Sequence, residues 1–328
     1  MIRKLSVISV FLAVSALFPC VLSAGWVEGG NLLDNAIYDA QNAIVLPDGE
    51  GGAVVFWERA INEGGYLKHD IYAQRFDVRG NELWTSGGVV VCNATDDQFD
   101  AKAVPDGEGG YIVCWTDLRN SGWTDIYFQG IDQDGAARWT ANGVAVCAAA
   151  RNQAYNVMTT VKGGGAIIAW LDDRNATGWD VYAQRINDKG DHAWTYDGVA
   201  VCTDVSYQDD LRIANSADKK GAYLVWEDQR NASLDIYGNQ IDSLGTPSWG
   251  TSGKGIITES SNQYNPEIIE DGYGGAFIAW MDMRNGNADI YAERLNNLAN
   301  SWSVDGLPVC TATGNQNQFV LGKCGQYG

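Results

Sequence analysis

The sequence predicts an all-β protein, a β-propeller of about five four-stranded blades. Three observations carry this expectation. A unit of about 55 residues recurs along the chain, marked by apolar runs that end in tryptophan. These runs are "AVVFW" at Trp57, "YIVCW" at Trp115, "AIIAW" at Trp170, "AYLVW" at Trp226 and "AFIAW" at Trp280. Each follows a glycine-rich turn such as "DGEGG" or "DGYGG", whose residues supply the positive φ angles of tight hairpins. Beyond the amino-terminal leader, no stretch holds a helical hydrophobic period.

Each element of the unit has its own signal. The unit opens on a mixed stretch such as "AKAVP", expected as a strand, and turns at "DGxGG". The short apolar run to tryptophan suits a strand buried on both faces. "WxDxRN" then leads into a variable loop, followed by "DIYAQR", a second mixed strand, and a "DxxG" turn. The unit closes with a second tryptophan, a glycine near four positions later, "VxVC", and a glutamine fourteen residues beyond that tryptophan. Four strands cannot cover both faces of their own sheet, whereas sheets stacked radially around an axis cover one another. A linear β-solenoid is the rival architecture, and its repeat is usually shorter.

The tandem pattern "DGxGGxxxxWxDxR…DIYAQR…GxxxW…GxxVC" resembles that of a group of secreted bacterial propeller-like proteins. The resemblance runs from roughly Trp26 to Gln318 and implies an architecture rather than an activity. Kelch, WD40 and sialidase Asp-box signatures are absent. The apolar tryptophan strand and the "DIY" strand occur five times, but the closing element occurs six times, at Trp26, Trp84, Trp139, Trp194, Trp249 and Trp302. The expectation is five full blades with overlapping ends; the alternative is a piece of a longer array.

Residues 1–24 read as a secretory signal peptide, leaving residues 25–328 as one propeller domain. Arg3 and Lys4 form its basic start, Leu5 to Phe18 its apolar run, and Ser23 and Ala24 its small-residue cleavage region. The protein is therefore expected outside the cytoplasm: extracellular, at the cell surface, or in the periplasm. No later segment is apolar enough to span a bilayer, so no membrane insertion is expected after cleavage. A net charge of −19 repels phosphate backbones, which sets nucleic acid aside as a partner.

The sharpest polar signature is the Asp-Arg pair after the apolar strand: Asp117/Arg119, Asp172/Arg174, Asp228/Arg230 and Asp282/Arg284. Fourfold repetition favours a scaffold role, because a single active site needs its residues once. The first unit breaks the rule, with Arg59 at the Asp position and Ile61 at the Arg position. The "DIY" aspartates, from Asp70 to Asp289, raise calcium, but a cage takes six or more oxygens and each loop offers only two or three. No cofactor is expected, with calcium left open. Cys92, Cys147, Cys202 and Cys310 share one repeat position and read as small buried hydrophobes; Cys114 and Cys324 are the one odd pair. His69 and His192 stand in different units without a nucleophile motif.

The informative positions are those where the repeat departs from itself. Trp123 and Trp179 lie in the variable loop, where the first unit has Tyr66, and flat aromatics there suit stacking on sugar or peptide. The expected function is a secreted, non-enzymatic binding or structural module that offers Tyr66, Trp123 and Trp179 to a glycan or surface protein. The alternative is an extracellular polysaccharide hydrolase with a carboxylate pair in a propeller cleft. An unrepeated acid pair in a central cleft would favour the enzyme; a line of loop aromatics would favour binding.

Overall fold

A computed structural model describes residues 39–120, 122–216, 220–296, 299–300 and 302–322. The signal peptide, Trp26 and Cys324 lie outside the described residues. The chain folds as a β-propeller of five antiparallel sheets, each built from consecutive strands. Blade 1 holds β1 (Ala40–Pro47), β2 (Ala53–Glu63), β3 (Tyr66–Phe76) and β4 (Val89–Cys92). Blade 2 holds β5 (Gln98–Pro105), β6 (Tyr111–Asp117), β7 (Asp125–Ile131) and β8 (Val144–Cys147). Blade 3 holds β9 (Gln153–Thr160), β10 (Ala166–Asp172), β11 (Asp180–Ile186) and β12 (Val199–Cys202). Blade 4 holds β13 (Gln208–Asn215), β14 (Ala222–Asp228), β15 (Asp235–Ile241) and β16 (Lys254–Ile257). Blade 5 holds β17 (Gln263–Glu270), β18 (Gly275–Asp282), β19 (Asp289–Asn296), β20 (Ala299–Asn300) and β21 (Leu307–Cys310).

The first strands of successive blades, β1, β5, β9, β13 and β17, contact one another in turn. They are the innermost strands. The "DGxGG" and "DxxG" turns leave one end of the ring. The variable loops and the connections to the next blade leave the other, here called the loop end.

The five apolar-run tryptophans are completely buried, one per blade. Their surroundings explain several other letters of the repeat. Trp57, Trp115, Trp170, Trp226 and Trp280 each press on a glycine four places after the second tryptophan: Gly88, Gly143, Gly198, Gly253 and Gly306. A Cβ on Gly143 would meet the Trp115 ring at 2.5 Å, and its φ of +87° is one that side chains rarely adopt. The "DIY" tyrosine stacks on the same ring, Tyr127 on Trp115 at 6.4 Å and Tyr182 on Trp170 at 6.4 Å. The second tryptophan joins blades. Trp84 packs on Gly135, Trp139 on Gly190 and Trp194 on Gly245, each glycine lying in the "DxxG" turn of the following blade.

The closing glutamine also joins blades. The Gln153 amide donates to the Thr124 carbonyl (2.7 Å), and that of Gln263 to Leu234 (2.8 Å). Gln316 donates to Ala288 at 2.8 Å in the same way, so the sixth copy of the closing element begins a further unit against blade 5. Cys92, Cys114, Cys147 and Cys202 are free and buried, and Cys310 is partly buried. Burial pushes the Cys92 thiol up to about 12 and the Cys202 thiol up to about 11, which keeps both neutral.

Candidate functional site

The Asp-Arg pairs sit where β6, β10, β14 and β18 end. Asp172 Oδ2 accepts the Trp170 indole N–H (2.7 Å), and Asp172 Oδ1 accepts the Arg174 backbone N–H (2.9 Å). The guanidinium of Arg174 grips both oxygens, at 2.8 and 2.6 Å, and donates to the Asp197 carbonyl (2.9 Å) beside β12. It also lies 3.9 Å from the centroid of the Tyr182 ring, completing an Arg-Tyr-Trp stack. Asp117/Arg119, Asp228/Arg230 and Asp282/Arg284 repeat this arrangement. In blade 1 the guanidinium of Arg59 reaches the same place from the Asp position, 3.6 Å over Tyr72 and bonded to the Gly87 carbonyl at 2.5 Å. The "DIY" aspartates are held by the motif asparagines, Asn120 on Asp125 and Asn175 on Asp180, each at 2.6 Å.

One feature of the loop end has no counterpart in the sequence reading. Every innermost strand carries a β-bulge opposite its blade's buried tryptophan. At each bulge one residue adopts a left-handed conformation: Asn42 (φ 54°), Asp100 (54°), Tyr155 (55°), Asp210 (48°) and Asn265 (51°). None is glycine, so backbone strain is held at five equivalent places around the axis. Only blade 5 marks the bulge with a proline, Pro266; in blades 2 to 5 its other trace in sequence is the fixed distance of two residues from the closing glutamine.

The residue after each buried tryptophan lies under these bulges, and it differs between blades: Glu58, Thr116, Leu171, Glu227 and Met281. Two are glutamates. Glu58 is completely buried and accepts three donors, Asn42 Nδ2 at 2.8 Å, Gln41 Nε2 at 3.2 Å and the Asp100 amide of the next blade at 2.8 Å. Glu227 is half-buried, and its Oε1 accepts the Asn265 amide of blade 5 at 2.7 Å. Where blade 1 has Gln41 and Asn42, blade 4 has Asp209 and Asp210. Burial, with Asp210 and Asp209 adding their charge, pushes Glu227 up to about 7. Asp210 is also raised by burial, although Arg212 pairs with it at 2.5 Å and opposes the rise. Arg212, its direct partner, favours the charge on Asp210. No other blade sets a glutamate at this point beside an aspartate at its own bulge.

Between blades 1 and 2 the same end opens into a cavity of about 620 Å³, lined by Asn42, Glu58, His69, Asp97, Asp100 and Lys102 among others. Asp97 accepts the Tyr66 hydroxyl (2.7 Å), the His69 amide (2.8 Å) and His69 Nδ1 (3.1 Å). Burial works to raise the Asp97 carboxyl, but the Tyr66 and His69 hydrogen bonds outweigh it and hold the group below the usual range.

The three loop aromatics all stand at the loop end. Tyr66 is 57% exposed, Trp123 is 47% exposed with Arg151 5.6 Å from its ring centroid, and Trp179 is half-buried. Trp179 packs partly on the core between blades 3 and 4 and meets Tyr155 edge to face at 5.7 Å. Tyr155, the bulge residue of blade 3, is 57% exposed and extends the aromatic line inward. It was not singled out in the sequence, because only the bulge turns that strand position towards the loop end.

No protein-family profile and no curated protein sequence matches the chain. Solved structures do. An α-L-arabinofuranosidase from Fusarium graminearum superposes with a TM-score of 0.51 at 11% identity, over 79% of this chain and 82% of its own. An ulvan lyase of a new polysaccharide lyase family superposes with a TM-score of 0.52 at 10% identity, over 81% of this chain and 68% of its own. At these identities the likeness shows the fold. It also corrects the expectation of a non-enzymatic module: both of these propellers are enzymes that act on carbohydrate. Repetition of the fold therefore gives no ground for setting an enzyme aside. Among the described residues no helix is long and apolar enough to cross a membrane.

Proposed function

We propose that the protein is a secreted enzyme that cleaves glycosidic bonds in an extracellular polysaccharide at the loop end of the ring. The observation that carries this is the blade 4 carboxylate pair, Glu227 and Asp210, which no other blade repeats. Hydrolysis of a glycoside needs an acid that keeps its proton near neutral pH and a carboxylate that does not. Glu227 supplies the first. Its Oε1 is engaged by the Asn265 amide, which leaves Oε2 to hold the proton and give it to the leaving oxygen. Asp210, fixed by Arg212, supplies the second and faces the positive charge that develops on the sugar ring. As the anomeric C–O bond breaks, water adds to the anomeric carbon and gives one proton to the ionised Glu227, which restores the acid.

The loop aromatics and the cavity between blades 1 and 2 bind the chain on this reading. Tyr66 at the start of β3, and Trp123 and Trp179 in the loops before β7 and β11, stand at the same connection of three consecutive blades, so an extended polymer would meet them one after another. The four Asp-Arg pairs serve the scaffold by tying the second strand of each blade to its outermost one. The fold likeness to two carbohydrate-acting propellers supports the same substrate chemistry without naming the sugar.

The test is Glu227→Gln, which keeps the shape and an acceptor for the Asn265 amide. Cleavage of any polysaccharide found by screening should fall by at least about 100-fold, with folding unchanged. The wild-type rate should decline as pH rises through about 7, where Glu227 loses its proton. A folded variant with undiminished activity would remove Glu227 from the reaction.

A further inference from the structure

We infer that the polysaccharide taken by this face is uncharged, bearing neither uronate nor sulfate groups. This rests on the cleavage reading and sharpens it. Each lysine and arginine of the loop end among the described residues is already engaged.

Lys102, in the cavity between blades 1 and 2, is paired with Asp100. Arg151, beneath Trp123, is held by Asp173 at 3.0 Å. Arg212, nearest the acid pair, bridges Asp210 (2.5 Å) and Glu267 (3.1 Å). Lys68 is buried between Glu63 (3.0 Å) and Asp70 (3.5 Å). The four motif arginines each clamp their own aspartate, and Arg59 stacks on Tyr72 and donates to the Gly87 carbonyl.

Carboxylates are in the opposite position. Glu58, Asp209 and Glu227 make no ion pair among the described residues, within a chain of net charge −19. A uronate or sulfate placed on this face would either displace a carboxylate from its cation or sit unpaired beside others. Both raise the energy of the bound state, and a focused negative potential slows the approach of a polyanion. Sugar hydroxyls meet no such penalty. They can donate to Asp97, Asp100 and Asp209 and lay their apolar faces on Trp123 and Tyr155.

An aminated polymer fits no better. Glu227 Oε1 is already taken by the Asn265 amide, so an ammonium group would pair with Oε2, the oxygen that must carry the proton.

The experiment uses the full mature chain and five polymers: neutral arabinan and galactan, anionic polygalacturonate and ulvan, and cationic chitosan. Reducing ends are measured for the wild type, and retention in polymer-containing native gels for Glu227→Gln. The expected result is cleavage of a neutral polymer at least tenfold faster than any charged one, with gel retention insensitive to added salt. Preferred cleavage of an anionic polymer or of chitosan would overturn the inference and leave the cleavage reading standing. Absence of cleavage on all five, with salt-insensitive retention by a neutral polymer, would retain the uncharged ligand and overturn the cleavage reading. Absence of both cleavage and retention would overturn both.

Discussion

Blades 1 and 4 place a glutamate at the same point, directly after the buried tryptophan and beneath the bulge of the innermost strand. Their neighbours differ. Gln41 and Asn42 donate two hydrogen bonds to Glu58, which also accepts the Asp100 amide and is wholly buried as a brace between blades 1 and 2. In blade 4 those two positions are Asp209 and Asp210, which cannot donate when ionised, and Glu227 is pushed up to about 7. One backbone frame thus places a glutamate as a brace between two blades and, in another blade, a glutamate raised towards neutral pH. Burial raises Glu227 first, and the charges of those two aspartates add to it, on a strand whose course is the same as in blade 1.

The largest expected effect concerns what the two blades share. Trp57→Ala and Trp226→Ala should each cost about 3–5 kcal/mol, because both empty a fully buried site. Equal losses in chemical denaturation would show that the frame is common to both blades. A loss below about 1 kcal/mol in either would break the comparison at its base.

A smaller loss is expected at the Asp-Arg pairs, where blade 1 departs from the other four. Asp172→Ala strips the Trp170 indole and the Arg174 guanidinium of their acceptor, and should cost about 2–4 kcal/mol. The melting temperature should fall further than polymer affinity does. Lost affinity at unchanged stability would instead assign the pair to binding.

The finest test alters one of the two differences. Asp209→Asn removes a negative neighbour of Glu227 and makes blade 4 more like blade 1 at that position. The carboxyl should titrate lower, so the alkaline fall in cleavage should move to lower pH by a few tenths of a unit to one unit. Stability follows the same group. A carboxyl raised in the fold contributes stability that is present below its ordinary value of 4.5 and lost as pH rises through about 7. The wild-type melting temperature should therefore decline across that window by a few degrees, and Glu227→Gln should flatten the decline. A profile unchanged by Asp209→Asn would mean that Asp209 does not act on Glu227.

How much of this was legible in the sequence varies along a single blade. The tryptophan, the glycine four places after the second tryptophan and the glutamine recur as letters, because each meets the same neighbour in every blade. The Asp-Arg pair recurs for the same reason, and its absence from blade 1 was visible. That Arg59 nevertheless delivers its guanidinium over Tyr72 was not, because a side chain's reach depends on the backbone beside it. Glu58 and Glu227 were two acidic residues among 41, with nothing to mark either.

The sequence alone determined the all-β architecture, the order of strands within each unit and the buried tryptophan at the centre of each blade. These follow from local turn chemistry and from hydrophobic runs repeated at a fixed period, which are properties of neighbouring residues. Only the tertiary structure decided how each carboxylate is surrounded. The bulge that carries Asp210 and Tyr155 is a register shift between two strands, and Glu227 is raised by burial and by Asp210 and Asp209, against the Asn265 amide of another blade. Such couplings arise between residues distant in the chain, and a charge is raised or lowered only by what stands next to it in space.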